Sequence, residues 1–328
     1  MPEATIRDVA RRAQVSVASV SRALNGLDNV SDQTRARVVD AVRELGYVPH
    51  AGARSLSLAR SNAIGVVLPD LHGEFFSEIV RGMDREASSR GYLLLLSNMH
   101  GRKEQAVTPL HAMRGRVDGL IVMAPHLSEA ELAQALPAGL PAVLINTRAE
   151  KNGRPAIHLD NAAGAEAVVE HLIALGRTRL IHIAGPAGNL DAQERAEAFR
   201  RTCGKHPVEC EIVRGDFAEE SGAAAVNALL GSGRDFDAIF AANDNMALGA
   251  LKALRSAGKS VPEDVAVAGF DDIPLAKLVG LTTVRVRIAE LGTRALQRLL
   301  GILSDEDQGG NEMHAPELIV RSTTDSAR

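Results

Sequence analysis

The chain has 328 residues, of which 45% are apolar, and this length and composition predict one small domain followed by a larger, two-lobed core. The net charge of −4 by itself argues against a protein that binds nucleic acid, but the charge is unevenly distributed. Residues 1–60 carry nine arginines, no lysine and six acidic side chains, a net charge of +3, which leaves −7 for the remainder. Apolar runs are too short to span a membrane, and the two cysteines lack the further ligands that a metal site requires.

Residues 5–24 are predicted to form two short helices joined by a tight turn. Thr5 is a suitable N-cap for the first helix and Ser16 for the second. Apolar residues recur at helical spacing, and the positions expected to face inward are Ile6, Val9, Ala10, Ala13, Val20, Ala23 and Leu24. This pattern is typical of a helix-turn-helix, whose second helix enters the major groove of DNA; two ordinary surface helices are the alternative.

The candidate DNA contacts in this unit lie at its helix starts and along its second helix: Thr5, Ser16, Val17, Ala18, Ser21, Arg22 and Asn25. Val17 and Ala18 can meet thymine methyl groups, while Arg22 can donate hydrogen bonds to guanine. Few base-reading side chains are available on so short a helix. We therefore expect specificity to be shared with a second subunit and with the segment that follows.

A third helix is predicted from Ser31 to Gly46. Ser31 is the expected N-cap, and Gly46 the stop signal. The side chains expected to face inward are Val38, Val39, Val42 and Leu45.

Four segments together resemble the LacI/GalR family of transcriptional regulators: A-T-I-R-D-V-A from residue 4, V-S-V-A-S-V-S-R-A-L-N from residue 15, G-Y-V-P from residue 46 and A-R-S-L from residue 53. The resemblance implies that residues 49–60 form a hinge helix that folds only when two copies meet on DNA. Arg54 and Ser55 would contact DNA, and Leu56 would wedge into a base step of the minor groove. His50 stands where the family usually has Asn, which affects the local capping. A flexible linker with Leu56 tucked against the core is the alternative.

From Asn62 onward, apolar strands alternate with amphipathic helices. The predicted strands are 63–69, 91–97, 118–123, 142–146, 180–184, 211–213, 238–241 and 265–270. The predicted helices are 75–90, 103–113, 128–136, 162–175, 191–201, 218–230 and 246–257. Such alternation favours two doubly wound lobes with parallel sheets, like those of periplasmic binding proteins. The predicted domains are an all-α helix-turn-helix headpiece at 1–48, a hinge at 49–60, and an effector-binding and dimerisation core at 61–328.

Polar residues follow several predicted strands, where a doubly wound fold places its ligands. The effector-binding candidates are Asp70, Phe75, Asn146, Arg195, Phe217, Asn243 and Asp271. The family resemblance supports Arg195, in the stretch before Ala198 and Phe199, and Asp271, after the strand V-A-V-A-G-F. Asn146 stands where many family members have Asp, which changes the polarity of that contact. The alternative is that the polar residues only cap helices and that Arg195 lies on a charged surface helix.

These features predict an allosteric transcriptional regulator, most simply a repressor, that binds a palindromic DNA operator as a homodimer in the cytoplasm. A short, polar stretch after residue 320 favours a dimer over a tetramer. The expected effector is a sugar or sugar derivative, with a purine or another corepressor as the alternative. Neither catalytic residues, nor a cofactor, nor a metal site is expected, and His158, His171 and His182 are interpreted as structural. A solute-binding protein or an enzyme built on the same core is the alternative class.

Overall fold

A computed structural model describes residues 4–25, 29–48, 60–100, 103–147, 153–306 and 310–325. The chain divides into two compact units, Met1–Asn62 and Ala63–Arg328. The predicted hinge contacts Arg54, Ser55 and Leu56 lie outside the described residues. In the described ranges, no helix is both long enough and apolar enough to cross a membrane.

The first unit contains the three predicted helices: α1 (Ile6–Ala13), α2 (Val17–Leu24) and α3 (Asp32–Leu45). Their caps are the ones that the sequence predicts. The Thr5 side chain accepts a hydrogen bond from the Asp8 backbone in a capping box, and Ser16 accepts one from Ser19. The helices enclose a small core of Val9, Ala10, Ala13, Val20, Ala23, Val38 and Ala41. The prediction of a helix-turn-helix unit is confirmed.

The prediction that Val39 and Leu45 face the interior is wrong. Val39 is 44% exposed and Leu45 is 36% exposed. Successive helical residues are rotated by about 100°, so once Val38 and Ala41 point inward the adjacent Val39 must point away from the core. Leu45, seven residues after Val38, has the rotation of the buried face, but it is the last residue of α3 and is exposed at the end of the helix.

The second unit begins with a lobe built on a six-stranded parallel sheet. Its strands are β1 (Ala63–Leu68), β2 (Leu93–Asn98), β3 (Gly119–Met123), β4 (Ala142–Ile145), β5 (Ala156–Leu159) and β11 (Asn311–His314), in the spatial order β11-β5-β4-β3-β1-β2. Its helices are α4 (Glu74–Ser89), α5 (Lys103–Ala112), α6 (Glu129–Ala135) and α12 (Ile288–Leu303). Residues from α4 and α12 cover one face of the sheet, and those from α5 and α6 cover the other.

The other lobe contains a four-stranded parallel sheet in the order β7-β6-β8-β9. Its strands are β6 (Arg179–Ala184), β7 (Glu209–Arg214), β8 (Ala238–Ala241) and β9 (Ala266–Ala268), with the antiparallel pair β10 (Thr283–Arg285) and β12 (Glu317–Ile319) nearby. Its helices are α7 (Asn161–Ala174), α8 (Leu190–Cys203), α9 (Glu219–Gly231), α10 (Asp244–Ser256) and α11 (Pro274–Leu278). The prediction of two doubly wound parallel lobes is confirmed.

The chain returns to the first lobe near its C-terminal end, which the sequence pattern does not predict. Helix α12 packs directly against α4, and strand β11 pairs with β5. At the helix crossing, a Cβ atom added to Gly82 would overlap the backbone carbonyl of Ala289, so only glycine permits this approach. Each lobe is therefore assembled from separate stretches of the chain, and the chain passes between the lobes at several points.

Candidate functional site

Arg195 lies on α8 in the second lobe and is almost completely buried. Its Nε atom donates to Asn161 Oδ1 at 2.8 Å, and its Nη1 atom donates to the carbonyl of Ala242. The same Nη1 atom is 3.8 Å from Asp271 Oδ1, and the guanidinium carbon is 3.7 Å from the centroid of the Phe270 ring. A buried guanidinium held by several acceptors and an aromatic face has a well-defined position, as ligand recognition requires.

Asp191 lies one turn before Arg195 on the same helix and connects this arginine to the first lobe. The Asp191 carboxylate accepts a hydrogen bond from Asn161 Nδ2 at 2.8 Å, and the side chain of Asn146 lies near enough to lower its pKa. Asn146 follows β4 in left-handed backbone geometry, and its Oδ1 atom accepts from the Leu159 backbone at 2.9 Å. Burial raises the pKa of Asp191 above its usual value, although Arg195 and the two amides act in the opposite direction.

Asp271 follows β9 and is 6% exposed, with a positive φ of 115°. Loss of hydration raises the pKa of this carboxyl to about 7; Arg195 lowers the pKa and Asp191 raises it further. Positive φ is unfavourable for a residue with a side chain, and burial is unfavourable for a carboxylate. Both features together are typical of a ligand site. We call the buried set Asn146, Asn161, Asp191, Arg195 and Asp271 the cleft cluster.

Asn243 and Phe217 form a second, adjacent pair in the second lobe. Asn243 caps α10 by accepting a hydrogen bond from the Met246 backbone, and its Nδ2 atom donates to the carbonyl of Phe217 at 2.9 Å. Phe217 has a positive φ of 74°, and its ring lies close against Gly185. Both polar groups of the Asn243 side chain are therefore engaged: Oδ1 caps α10, and Nδ2 binds the loop that carries Phe217.

Asp70 and Phe75 make different contacts at the edge of the first lobe. Asp70 Oδ1 accepts from the Leu71 backbone at 2.7 Å and from Asn98 Nδ2 at 3.3 Å, so it organises its own loop. The Phe75 ring packs edge-on against Phe76, with 5.3 Å between the centroids. The structure therefore brings Asn146, Arg195 and Asp271 into one network. In the described residues it does not join Asp70 or Phe75 to that network by a hydrogen bond.

In the headpiece, the predicted DNA-contacting residues divide into exposed and partly buried positions. Thr5, Ser16, Ala18 and Arg22 are exposed, and Val17 is 41% exposed although it is apolar. Ser21 and Asn25 are partly buried and hydrogen-bond to each other, with 3.4 Å between Asn25 Nδ2 and Ser21 Oγ. The exposed face of α2 thus presents a small apolar surface, Val17 and Ala18, at its start and the cation Arg22 in its last turn.

Two family descriptions match the chain. "Bacterial regulatory proteins, lacI family" matches residues 5–50, and "Periplasmic binding protein-like domain" matches residues 169–324. The ribose operon repressor of Halalkalibacterium halodurans is 36% identical over 98% of this chain and 97% of its own length. The transcriptional repressor CytR of Escherichia coli is also 36% identical, over 98% of this chain and 96% of its own length.

The chain belongs to the lacI family of bacterial regulatory proteins. Among solved structures, a Lac repressor dimer bound to operator and the anti-inducer ONPF matches with a TM-score of 0.89 and 30% identity, covering 98% of this chain and 99% of that one. A complex of the transcriptional regulator CelR with cellobiose matches with a TM-score of 0.72 at 30% identity. The predicted resemblance to the LacI/GalR family is confirmed, and the protein is a DNA-binding transcriptional regulator.

In this lacI-family regulator, sequence reasoning overlooked Asp191 and left Asn161 without a role. Both are buried. Asn161 donates a hydrogen bond to Asp191 and accepts one from Arg195, a predicted effector-binding residue. The signal for Asp191 is its spacing, because residues four apart on a helix share a face. Asn161 gave no such signal, since an Asn after a strand is equally expected as a cap for the next helix.

Of the histidines interpreted as structural, His182 is enclosed in the second lobe. Its Nδ1 atom is 2.9 Å from the carbonyl of Phe240, and its ring stacks on Phe199. Burial lowers the pKa of His182 to about 3, so the ring is neutral at physiological pH. His171 is 2.8 Å from the hydroxyl of Thr324.

Proposed function

We propose that this lacI-family protein represses transcription from a palindromic operator, and that a neutral, hydroxyl-rich ligand in the interlobe cleft controls its affinity for DNA. The observation that carries the proposal is the cleft cluster, which joins residues of both lobes in one buried polar network. Residues 1–48 are assigned to DNA binding, 49–60 to the hinge and 61–328 to effector binding and dimerisation. The predicted contacts Arg54, Ser55 and Leu56 belong to the hinge in this assignment.

The charge of the cluster favours a neutral effector over an anionic one. Two buried carboxyl groups, Asp191 and Asp271, face one buried cation, Arg195. Two of the five N–H groups of that cation donate to Asn161 and Ala242, and Asp271 at 3.8 Å already offsets part of its charge, which leaves less of it for a phosphate. Sugar hydroxyls can donate hydrogen bonds to both carboxylates. A phosphate would instead add negative charge to a site where two carboxyl groups already face one cation. One relative is a ribose operon repressor, which also favours a pentose, or a compound containing one, as the effector.

Control of DNA binding requires that the ligand distinguish between two arrangements of the lobes. The lobes already touch at both sides of the cluster: the Leu190 backbone donates to the Pro125 carbonyl at 2.9 Å, and the Leu275 backbone donates to Glu74 Oε2 at 3.2 Å. A ligand bound by Asn146 from one lobe and by Arg195 and Asp271 from the other would change the free energy of those contacts. The two lobes would then move relative to each other as the site fills.

An exposed apolar edge supports the homodimer. Strand β2 is the last strand of its sheet, and Leu93, Leu95 and Leu96 are 71%, 37% and 44% exposed. An unpaired, apolar edge strand is normally covered by another protein surface. We assign this surface, called the β2 edge, to the contact with a second copy. The proposal also places the protein in the cytoplasm, where its DNA is, and gives it no catalytic role.

The charge argument is tested by a thermal-shift panel that includes ribose, other neutral pentoses and hexoses, ribose 5-phosphate, inorganic phosphate and purines. An external dye is needed because the chain contains no Trp. We expect a neutral sugar or nucleoside to raise the melting temperature, and its phosphate ester to bind at least about tenfold more weakly, a free-energy difference of about 1.4 kcal/mol. A phosphate ester that binds more tightly than its parent sugar would contradict the proposed site chemistry.

A further inference from the structure

The chain's two cysteines lie at the two ends of one short connection. Cys203 is the last residue of α8 and is buried, whereas Cys210 is the second residue of β7 and is exposed. Because these are the only cysteines in the sequence, the protein can form one intramolecular disulfide and no other.

The alternation of β7 places Cys210 on the side of the sheet where α8 packs. Glu211 and Val213, two residues apart, line an open pocket together with Ala224 and Ala228 of α9, as does Arg214, the last residue of the strand. Neighbouring residues of a strand point to opposite faces, so Cys210 points away from α9 and toward α8. Helix α8 contacts β7, and Cys210 is near enough to Cys203 to raise the pKa of its thiol.

The connection between the cysteines is held in place by its own hydrogen bonds. The backbone of Lys205 donates to Thr202 and that of His206 donates to Cys203, both at 3.0 Å. Their side chains bind helix α7, with Lys205 Nζ 2.8 Å from Glu166 and His206 Nε2 3.0 Å from Glu170. These bonds restrict the segment between the two cysteines, so less conformational entropy is lost when the bond forms.

We propose that Cys203 and Cys210 are a redox-active pair which a hydroperoxide converts reversibly into an intramolecular disulfide. The exposed Cys210 thiolate attacks the peroxide, becomes a sulfenic acid and releases hydroxide. The Cys203 sulfur then attacks the Cys210 sulfur, and the sulfenic oxygen leaves as water. Two thiols thus lose two electrons to one hydrogen peroxide, and two water molecules form.

The environments of the two sulfurs determine their order of reaction. Burial and the neighbouring Cys210 raise the pKa of the Cys203 thiol to about 12, so it remains protonated at neutral pH and is not the first to react. Cys210 is accessible to the oxidant, and Cys203 is the resolving thiol. Disulfide formation should therefore be slow at neutral pH and faster as the pH rises. The bond would attach the C-terminal end of the helix that carries Arg195 to strand β7.

The test uses the full chain, reduced and then treated with hydrogen peroxide at several pH values. Thiols are counted with Ellman's reagent after denaturation, and digests are analysed by mass spectrometry. We expect the count to fall from two to zero, one cross-linked peptide pair containing Cys203 and Cys210, a mass loss of two hydrogens, and full recovery with dithiothreitol. The rate should increase with pH.

Two variants separate the roles of the cysteines. With Cys210→Ser, which alters an exposed side chain, the remaining thiol should resist peroxide in the folded protein. With Cys203→Ala, a dimedone adduct should accumulate on Cys210, whereas the parent protein should show little. The proposal is overturned if the parent protein retains both thiols, if it accumulates sulfinic acid on Cys210, or if the disulfide joins two chains.

Discussion

At Asp271 the chain keeps a carboxyl group in left-handed backbone and almost completely out of water, although an uncharged residue would fold more easily there. Asp191, in helix α8, is also almost completely buried, and it interacts with the same cation, Arg195. Such residues lower the stability of the empty protein, and a ligand that donates hydrogen bonds to them restores part of it. The cleft cluster therefore links stability to ligand binding at the level of single side chains.

This linkage predicts the behaviour of Asp271→Asn, a change that keeps the shape of the side chain. The folded pKa of about 7 lies above the ordinary Asp value, so the carboxyl group favours folding at low pH and this contribution is lost as the pH rises through 7. Compared with the parent, the variant should melt several degrees higher at pH 8 and at nearly the same temperature near pH 4. Melting curves across this range provide the measurement.

The same variant should bind the effector at least about tenfold more weakly, because an amide cannot replace a carboxylate as a double acceptor. Operator binding without effector should be unchanged. Glu263→Gln, which alters an exposed carboxylate of the same lobe, is the matched control and should change neither property. A variant that melts lower than the parent at pH 8 would disprove the stability argument, and unchanged effector affinity would remove Asp271 from the site.

At the scale of elements, helix α2 begins at a predicted N-cap residue and has an exposed face that can contact DNA bases. Ser16 caps it, and Val17, Ala18 and Arg22 face solvent, so the residues that fix the helix differ from those that can read bases. This separation predicts different consequences for neighbouring substitutions. Changes at the cap should affect the stability of the headpiece by about 1 kcal/mol, whereas changes on the exposed face should affect only DNA recognition.

Arg22→Ala is expected to reduce the preference for the operator over unrelated DNA by about 1–3 kcal/mol, because a guanine contact is lost. Arg37→Ala, at an exposed position on α3, removes the same charge from the same unit and is the control. Fluorescence anisotropy with operator and scrambled duplexes at fixed salt measures both affinities. Equal losses of affinity for both duplexes in Arg22→Ala would show that Arg22 contacts phosphate rather than bases.

At the scale of the whole molecule, the β2 edge is an apolar surface that a monomer would expose to water and that the proposed contact with a second copy would cover. Replacing both Leu93 and Leu96 with Glu should yield a monomer in analytical ultracentrifugation, because buried like charges oppose association. Met313→Glu is the matched control, since Met313 is 63% exposed on β11 at the opposite edge of the same sheet. The affinity for the operator should fall when the dimer is lost. A dimer of unchanged affinity in the double variant would place the subunit contact elsewhere.

Several features of the protein could be predicted from neighbouring residues alone. The capped helices of the headpiece, the alternation of strands and helices, and the polar residues after the strands all depend on local spacing. Arg195 and Asp271 were predicted as ligand contacts from their positions beside predicted elements and from the family resemblance, and the structure places them 3.8 Å apart. Asn146 was also predicted, although only the structure shows that it lies near Asp191 of the other lobe.

Sequence alone therefore determined the family, the two kinds of domain and most of the candidate ligand contacts. Tertiary structure decided which contacts meet: it brought Asp191 and Asn161 into the cleft cluster, kept Asp70 and Phe75 out of its hydrogen bonds, and returned α12 and β11 to the first lobe. It also turned Val39 and Leu45 outward. The physical reason is that caps and periodicity arise from interactions within a few residues. The pairing of distant strands, the burial of charges and the exposure of an edge arise from contacts between residues far apart in the chain.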